Sequence, residues 1–123
     1  MTKKIEIEWL NKPEKENYPA ALSCLSLLWE ERSAAKYVDK LKRVRMSEFK
    51  AKDIFRASGL SLLGVSNSHL EKDRKKIQSK EKLSPLLLVR DKKNRRVIVA
   101  DGYHRLCAVY SYDEDAIIPC KIV

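Results

Sequence analysis

The short stretch DGYHR, residues 101–105, combines residue types that bind anions, at a point where a strand is predicted to turn into a helix. The first backbone N–H groups of a helix have no acceptor within the helix, and together with the helix dipole they attract negative charge. Gly102 lets the backbone approach a ligand closely, and Asp101 is placed to be the N-cap of the helix. These features predict an anion site at the turn.

His104 and Arg105 add to this prediction, because a cation in the first turn of a helix opposes the helix dipole by about 0.3–1 kcal/mol. A bound phosphate would reverse that effect, since arginine forms charge-assisted hydrogen bonds with phosphate oxygens. The alternative is that Arg105 pairs with Asp101 or with the acidic loop at residues 113–115. The residues alone do not decide between these two interpretations.

The apolar spacing predicts the elements of the N-terminal half. Residues 4–9 alternate as a short strand with Ile5, Ile7 and Trp9 on one face. Residues 20–44 have helical spacing with a break near Ser33, which predicts one or two helices. The residues expected in the core, and not in a ligand pocket, are Trp9, Leu25, Leu28 and Trp29, and Leu22 shares the helical spacing.

The middle of the chain predicts a short strand around Phe49, then a turn from Asp53 to Gly59. A helix is expected within residues 66–83, capped by Ser66 or Ser68. Its inward-facing residues would be Leu70 and Ile77, and its solvent-facing residues would be Lys72, Lys75, Lys76 and Lys80.

The remaining sequence predicts two strands, a helix and a final strand. The nearly continuous apolar run in residues 84–91 indicates a buried strand, and a polar turn connects it to a second strand ending at Gly102. A helix at residues 103–112, an acidic loop and a strand near the C-terminus follow. This order of elements predicts the α+β class.

Composition limits the class of protein and its partners. The length of 123 residues favours one domain, residues 1–123. A net charge of +9 favours acidic partners such as nucleotides or nucleic acid, or else reflects a solvated lysine-rich surface. The three cysteines have no metal-binding spacing, which indicates reduced thiols in a cytoplasmic protein. Neither a signal peptide nor a membrane partner is expected.

Three pieces of the sequence resemble the ParB/sulfiredoxin superfamily. SHLEKDRKKIQSKEKLSPLLLVRD is similar to that family's helix, proline and buried strand. VADGYHRLCAVY resembles its phosphate-binding strand–turn–helix, and AIIPCKIV resembles its closing strand. The resemblance implies a ParB/sulfiredoxin-like mixed sheet with packed helices at residues 46–123, with residues 1–45 as an N-terminal strand and helical addition.

The resemblance also implies that the chain binds a nucleotide, ATP, ADP or CTP, with magnesium. The residues implied to contact the phosphates are Asp101, Gly102, Tyr103, His104 and Arg105, with Ser68 and His69 beside the same cleft. A looser correspondence adds Lys52 and Arg56 as ligand residues and Glu48 and Asp53 as catalytic carboxylates. Magnesium would be held by Asp101 or Asp53, because carboxylates suit that hard cation.

Two departures from the family narrow the expected activity. Tyr103 stands where sulfiredoxins carry their reactive cysteine, so sulfiredoxin activity is not expected. The longer arginine motif of ParB is absent, so a full partition protein is not expected either. Phosphoryl transfer and nucleotide hydrolysis stay open as activities.

The competing hypothesis is a non-enzymatic, basic nucleic-acid-binding module. The net charge and the clusters KLKRVR and KDRKK favour it. Against it, the sequence has no recognisable helix-turn-helix, aromatic stacking platform or glycine-rich nucleic-acid loop.

Overall fold

The computed structural model describes residues 6–62 and 68–123. Within these ranges the chain forms α1 (Asn17–Leu25), α2 (Glu31–Arg43), β1 (Ser47–Lys50), α3 (Ala51–Ser58), α4 (Ser68–Gln78), β2 (Leu86–Asp91), β3 (Arg96–Asp101), α5 (Tyr103–Tyr112) and β4 (Ile117–Ile122). The α+β class predicted from the sequence is confirmed.

The four strands form one mixed sheet in the order β1-β4-β2-β3. β2 and β3 are an antiparallel hairpin, β2 and β4 are parallel, and β1 and β4 are antiparallel. Asp101 at the end of β3 pairs with Leu87 near the start of β2, and the register shifts between Leu87 and Leu88. Such a bulge redirects a strand, and here it lies directly before the DGYHR turn.

Helices cover both faces of this sheet. Leu86 and Leu88 belong to a core formed with α3, α4 and α5, whereas Leu87 and Val89 belong to a second core formed with α1 and α2. Neighbouring side chains of a strand point to opposite faces of the sheet, and both faces of β2 are covered by a core. The four residues 86–89 must therefore all be apolar. The N-terminal helices therefore bury the second face of the sheet.

The connection between the first two helices differs from the prediction. The chain leaves helical geometry after Leu25 and resumes at Glu31, where Glu30 has an extended backbone (φ −57°, ψ 148°). Ser33, the predicted break, lies inside α2. The negative charge of Glu31 in the first turn of α2 suits the helix dipole, which favours a start at this point.

Leu28 lies in this connection and is 48% exposed, so the prediction that it belongs to the core is wrong. Helical spacing failed here because α1 ends at Leu25, which is fully buried. Leu22 and Trp29 are partly buried against the second core, and Trp9 against the first. The cost of about 2–5 kcal/mol expected for truncating a buried leucine therefore belongs to Leu25.

The strand predicted at residues 4–9 is reduced to an isolated bridge at Trp9 in the described residues. Ile5 lies outside the described residues, and residues 6–8 are not part of a strand. Trp9 forms an isolated parallel bridge with Leu83, and the Leu10 N–H donates to the Leu83 carbonyl at 2.8 Å. One bridge shows contact between the two segments but no extended pairing.

The predicted turn from Asp53 to Gly59 is wrong, because these residues belong to α3 and its C-cap. Ala51, Ile54 and Ser58 are buried on one face of this helix, and Gly59 ends it in the left-handed conformation at φ 66°. With only 8 residues, α3 is too short for a clear helical period in the sequence.

The rest of the C-terminal half follows the prediction. β1 contains Phe49, α4 buries Leu70 and Ile77, and β2, β3, α5 and β4 lie at or near their predicted positions. Ser68 is the first residue of α4, whereas the alternative cap Ser66 lies outside the described residues.

Candidate functional site

The DGYHR turn forms where β3 meets α5. Asp101 is still paired with β2, and Gly102 is the N-cap of α5, in the left-handed region at φ 112°. The prediction that Asp101 caps the helix is wrong, because its extended position in the strand leaves the cap to the next residue. A Cβ atom on Gly102 would lie 2.7 Å from Cγ of the buried Leu86. Close packing against β2 therefore adds to the backbone's requirement for glycine.

Arg105 is held by groups of the protein itself. Its Nη2 donates to Asp101 Oδ2 at 2.8 Å and to the Pro85 carbonyl at 3.4 Å, and its Nε donates to the Ser84 carbonyl at 2.9 Å. The side chains of Arg105 and Asp101 are 16% and 14% exposed. Of the partners considered from the sequence, Asp101 is the one observed.

The acidic loop has other partners. Asp115 forms an ion pair with Lys52 at 2.7 Å, and Lys50 lies 4.0 Å from the same carboxylate oxygen. The loop therefore links to the start of α3, and the alternative pairing of Arg105 with this loop is not found.

A small cleft of about 210 Å³ lies where the first two turns of α4 meet the start of α5. Basic, acidic and imidazole side chains line it together with the turn backbone; these residues are His69, Lys72, Asp73, Lys76, Asp101, Gly102, Tyr103, His104 and Arg105. We call it the turn cleft. Three cationic side chains outnumber two carboxylates there, and the start of α5 adds partial positive charge.

Two imidazoles face each other in the turn cleft. The ring centroids of His69 and His104 are 4.9 Å apart, so the expected proximity of His69 to the turn is observed. Burial lowers the pKa of His104, and His69 and Arg105 lower it further, whereas Asp73 acts in the opposite direction. His104 is therefore neutral at physiological pH and can donate one N–H to a ligand.

Asp73 is a partly buried carboxylate in this cleft. Burial raises its pKa, while the cations Arg105, Lys76 and Lys72 and the imidazole of His104 act to lower it. The surrounding positive charge thus only partly offsets the loss of hydration. Asp73 reduces the attraction of the turn cleft for anions, and it is also a group that could share a proton with a bound phosphate.

Tyr103 connects the turn to the segment after α3. Its hydroxyl donates to the Ser61 carbonyl, and its ring lies 5.6 Å from that of His104. Burial raises the pKa of Tyr103, and contact with the Cys107 thiol raises it further. The hydroxyl is therefore protonated at neutral pH and acts as a hydrogen-bond donor.

The other predicted site residues do not line the turn cleft. Ser68 is exposed at the start of α4, and Glu48 is exposed on β1 opposite Pro119. Asp53 and Arg56 form an exposed pair at 3.9 Å on α3. Lys52 pairs with Asp115, which raises the pKa of the lysine. The looser part of the family correspondence is thus not brought together with the turn.

The residues of the turn cleft fit a magnesium ion poorly. Asp101 has one carboxylate oxygen bonded to Arg105, and lysines stand at the same opening. Across residues 6–62 and 68–123, no group of three or more His, Cys, Asp or Glu side chains is arranged to hold a metal. No chemical step is therefore assigned to a metal here.

Sequence reasoning placed His69 beside the cleft but missed the other residues that α4 contributes to it. The sequence predicts that Lys72 and Lys76 face solvent and indicates no role for Asp73, whereas all three line the cleft. Positions 69, 72, 73 and 76 follow the spacing i, i+3, i+4, i+7, which places them on one helix face. That spacing, which begins at a histidine near the helix start, is the sequence signal for a charged helix face beside the turn.

The cysteines are free thiols without a catalytic setting. Cys107 and Cys120 are buried, and Cys24 is partly buried. Burial raises the pKa of Cys120 to about 12 and also raises that of Cys24, where Asp101 contributes. Because the thiolate is the reactive form, neither Cys24 nor Cys120 is prepared for nucleophilic chemistry.

No protein-family model matches the chain, and comparisons with curated proteins and with solved structures also found no match. In the part of the chain that the structure describes, none of the helices has the length and apolar character needed to cross a membrane.

Proposed function

We propose that the turn cleft binds a phosphate group, such as the phosphate end of a nucleotide. The observation that carries this proposal is the convergence of Lys72, Lys76 and His104 on the first turn of α5. Cationic side chains, an imidazole N–H and helix N–H groups are complementary to phosphate oxygens. The ParB/sulfiredoxin-like arrangement implied by the sequence would place a nucleotide at the same turn.

The size of the cleft suggests which part of a nucleotide would enter it. Pockets that enclose a drug-sized ligand usually have about 300–1,000 Å³, whereas the turn cleft has about 210 Å³. A phosphate group fits this volume, and the sugar and base would lie outside it. We therefore expect ATP, ADP and CTP to bind with similar affinity.

Arg105 has a positioning role in this proposal. Nε and Nη2 are bonded to Ser84, Pro85 and Asp101, so at most Nη1 is available to an anion. The guanidinium ties the first turn of α5 to the segment before β2. This arrangement fixes the backbone N–H groups of the turn, and fixed donors bind an anion without first having to be ordered.

We confine the proposed function to binding. Glu48 and Asp53, the carboxylates expected to act as catalytic bases, lie outside the turn cleft. A base must reach the proton that it removes. Phosphoryl transfer and hydrolysis therefore have less support than phosphate binding.

The double change Lys72→Gln and Lys76→Gln is expected to weaken binding of pyrophosphate and ATP by about three- to thirtyfold, measured by calorimetry. Each partly exposed lysine contributes up to about 1 kcal/mol to an ion pair with phosphate. The matched control is Lys75→Gln with Lys82→Gln, two exposed lysines that do not line the turn cleft. Equal losses in both double variants would contradict the proposal, because they would reflect net charge alone.

Binding of sulfate is expected to strengthen as the pH falls from about 8 to about 5.5, because protonated His104 gains a second N–H donor. Sulfate keeps its charge over this range, so the dependence reports on the protein. The lowered pKa of His104 means that the free protein loses stability as the pH falls through that pKa. Bound sulfate raises the pKa and opposes this loss.

An NMR titration of the His104 ring with and without sulfate measures both effects. His104→Gln keeps a side-chain N–H donor and is expected to remove most of the pH dependence. His69, Asp73 and the neighbouring lysines remain in that variant, so any pH dependence that is left comes from these groups and not from His104. A pH dependence unchanged in His104→Gln would contradict the assignment.

The competing function is a nucleic-acid-binding module. It is favoured by a second cleft, which lies between the N-terminal helices and the β2–β3 hairpin and is lined by aromatic and basic residues.

A further inference from the structure

A cleft of about 540 Å³ lies between the α1–α2 connection, α2 and the β2–β3 hairpin. Its lining combines two aromatic rings with a row of cations; the residues are Leu28, Trp29, Tyr37, Lys40, Arg90, Asp91, Lys92, Lys93, Asn94, Arg96 and Val123. We call it the aromatic cleft. It shares no lining residue with the turn cleft and falls within the usual size range of ligand pockets.

The aromatic part of this cleft is formed by Trp29 and Tyr37. Their ring centroids are 4.9 Å apart with the planes tilted by 48°, and both side chains are partly exposed. Lys40 lies above the Tyr37 ring, with Nζ 5.9 Å from its centroid. Leu28 extends the apolar surface at the same opening. Aromatic faces next to cations can stack a planar base whose phosphate is held nearby.

The charged part comes from the β2–β3 hairpin, whose sequence RDKKNRR has five cations in seven residues. Asp91, the single acid, is committed to the turn, because it accepts hydrogen bonds from Asn94 and from Nε of Arg96. These bonds lower the pKa of Asp91 and keep it ionised. The carboxylate thus shapes the hairpin and pairs with Arg96, while Lys92, Lys93 and Arg95 are exposed.

The cations continue beyond the aromatic cleft. A neighbouring depression on the α3 side of the hairpin, next to Ala57, is lined by Arg90, Lys92, Arg95 and Arg96 and shares three of these cations with the aromatic cleft. A single nucleotide needs only one group of phosphate contacts. Cations spread along the hairpin next to stacking rings match a chain of nucleotides, in which phosphates repeat along the backbone.

We propose that the aromatic cleft and the adjoining hairpin bind single-stranded nucleic acid, with bases stacked on Trp29 and Tyr37 and phosphates on the hairpin cations. The faces of bases are free only in an unpaired strand, so a duplex cannot use the aromatic rings. This inference does not depend on phosphate binding in the turn cleft, and it differs from the sequence-based expectation that the chain has no aromatic stacking platform.

The first test uses Trp29 as the reporter. The chain has two tryptophans, and Trp9→Phe leaves Trp29 as the single indole. Titration with oligothymidine of about twelve nucleotides is expected to quench its fluorescence, since a stacked base contacts the ring. Oligouridine of the same length is titrated in parallel, to distinguish DNA from RNA as the bound strand. Unchanged fluorescence at saturation with both strands would overturn the stacking proposal.

The second test compares variants by fluorescence anisotropy of the labelled oligonucleotide. Trp29→Leu keeps apolar volume and removes stacking, and its affinity is expected to fall by about five- to 150-fold. Tyr37→Leu is tested in the same way, in case the tryptophan variant is unstable in a thermal melt. An affinity unchanged in a folded Tyr37→Leu protein and in a folded Trp29→Leu protein overturns the proposal.

The third test measures the phosphate contacts without disturbing the core. Lys92→Ser with Lys93→Ser changes two exposed residues of the hairpin, and the slope of log affinity against log salt is expected to become shallower by about 1.4. The control, Lys75→Ser with Lys82→Ser, is expected to leave the slope nearly unchanged. A similar change in both pairs would indicate diffuse attraction to a cationic protein and would overturn the assignment.

The same anisotropy assay distinguishes the aromatic cleft from the turn cleft as the site of oligonucleotide binding. Lys72→Gln with Lys76→Gln is expected to leave oligonucleotide affinity within about threefold of the unmodified chain. A duplex of the same sequence is expected to bind more weakly than the single strand. Tighter duplex binding, or loss of oligonucleotide binding only in the turn-cleft variant, would overturn the aromatic cleft as the binding site. Failure of pyrophosphate binding alone would leave this inference intact.

Discussion

Arg105→Ala is expected to lower the free energy of unfolding by about 3 kcal/mol, because it leaves Asp101 as an unpaired and mostly buried carboxylate. It also removes the hydrogen bonds to the carbonyls of Ser84 and Pro85. Relief of the unfavourable interaction with the helix dipole returns only about 0.3–1 kcal/mol. Urea denaturation followed by circular dichroism measures the net change, which is expected to be a loss.

The matched control is Arg56→Ala. Arg56 also pairs with a nearby aspartate, in this case Asp53 of its own helix at 3.9 Å, but its side chain is 74% exposed. Its removal is expected to cost less than about 1 kcal/mol. A combined Asp101→Asn and Arg105→Ala variant is expected to be more stable than the sum of the single losses predicts, since neither partner then leaves a buried charge behind.

A titration with pyrophosphate completes this test. Once the folded fraction is corrected for, Arg105→Ala is expected to lose less than about tenfold in phosphate affinity, because the arginine orders the donors of the turn but does not itself hold the anion. Increased stability together with a loss of phosphate affinity of ten- to a hundredfold, about 1.4 kcal/mol per tenfold, would assign Arg105 to the ligand instead. The two interpretations thus give opposite signs for the change in stability.

Gly102→Ala is expected to be as destabilising, for two separate reasons. An alanine at φ 112° is held in a strained backbone conformation, at a cost of about 1–3 kcal/mol. Its Cβ would lie 2.7 Å from Leu86 Cγ and 2.9 Å from Arg105 Nη2, and relieving this overlap costs about 1–3 kcal/mol more. Both neighbours are fixed, one in the core and one by its hydrogen bonds.

Gly59→Ala separates strain from crowding. Gly59 also has a positive φ, 66°, but a Cβ there would have no neighbour within 4 Å among the residues that the structure describes. Its replacement is expected to cost about 1–2 kcal/mol, from backbone conformation alone. Denaturation curves that show equal losses for the two alanine variants would mean that contact with Leu86 contributes nothing, which would contradict the packing described for the turn.

Elements whose pattern is local could be predicted from the sequence alone. The apolar run in residues 86–89 predicted a strand buried on both faces, and Leu70 with Ile77 predicted the buried face of α4. DGYHR predicted a strand–turn–helix with a glycine at the turn. These signals hold because backbone geometry repeats every two residues in a strand and every 3.6 in a helix, so neighbouring residues carry the information.

Tertiary structure decided which partner each functional side chain has. Arg105 could pair with Asp101, with the acidic loop or with a phosphate, and only the position of Ser84 and Pro85 beside the turn selects the first. Leu28 has helical spacing, yet the end of α1 at Leu25 leaves it exposed. Local pattern cannot settle such cases, since the competing conformations satisfy the same local rules.

Both clefts depend on segments that are distant in the sequence. His69 meets His104 because α4 packs beside α5, and Trp29 and Tyr37 meet the hairpin cations because α1 and α2 cover the second face of the sheet. These contacts depend on the order of the strands and on the face of the sheet that each helix covers. Both follow from the burial of apolar surface over the whole chain. The turn residues could therefore be predicted from their local sequence, whereas the lysines beside them and the aromatic cleft could be identified only from the fold.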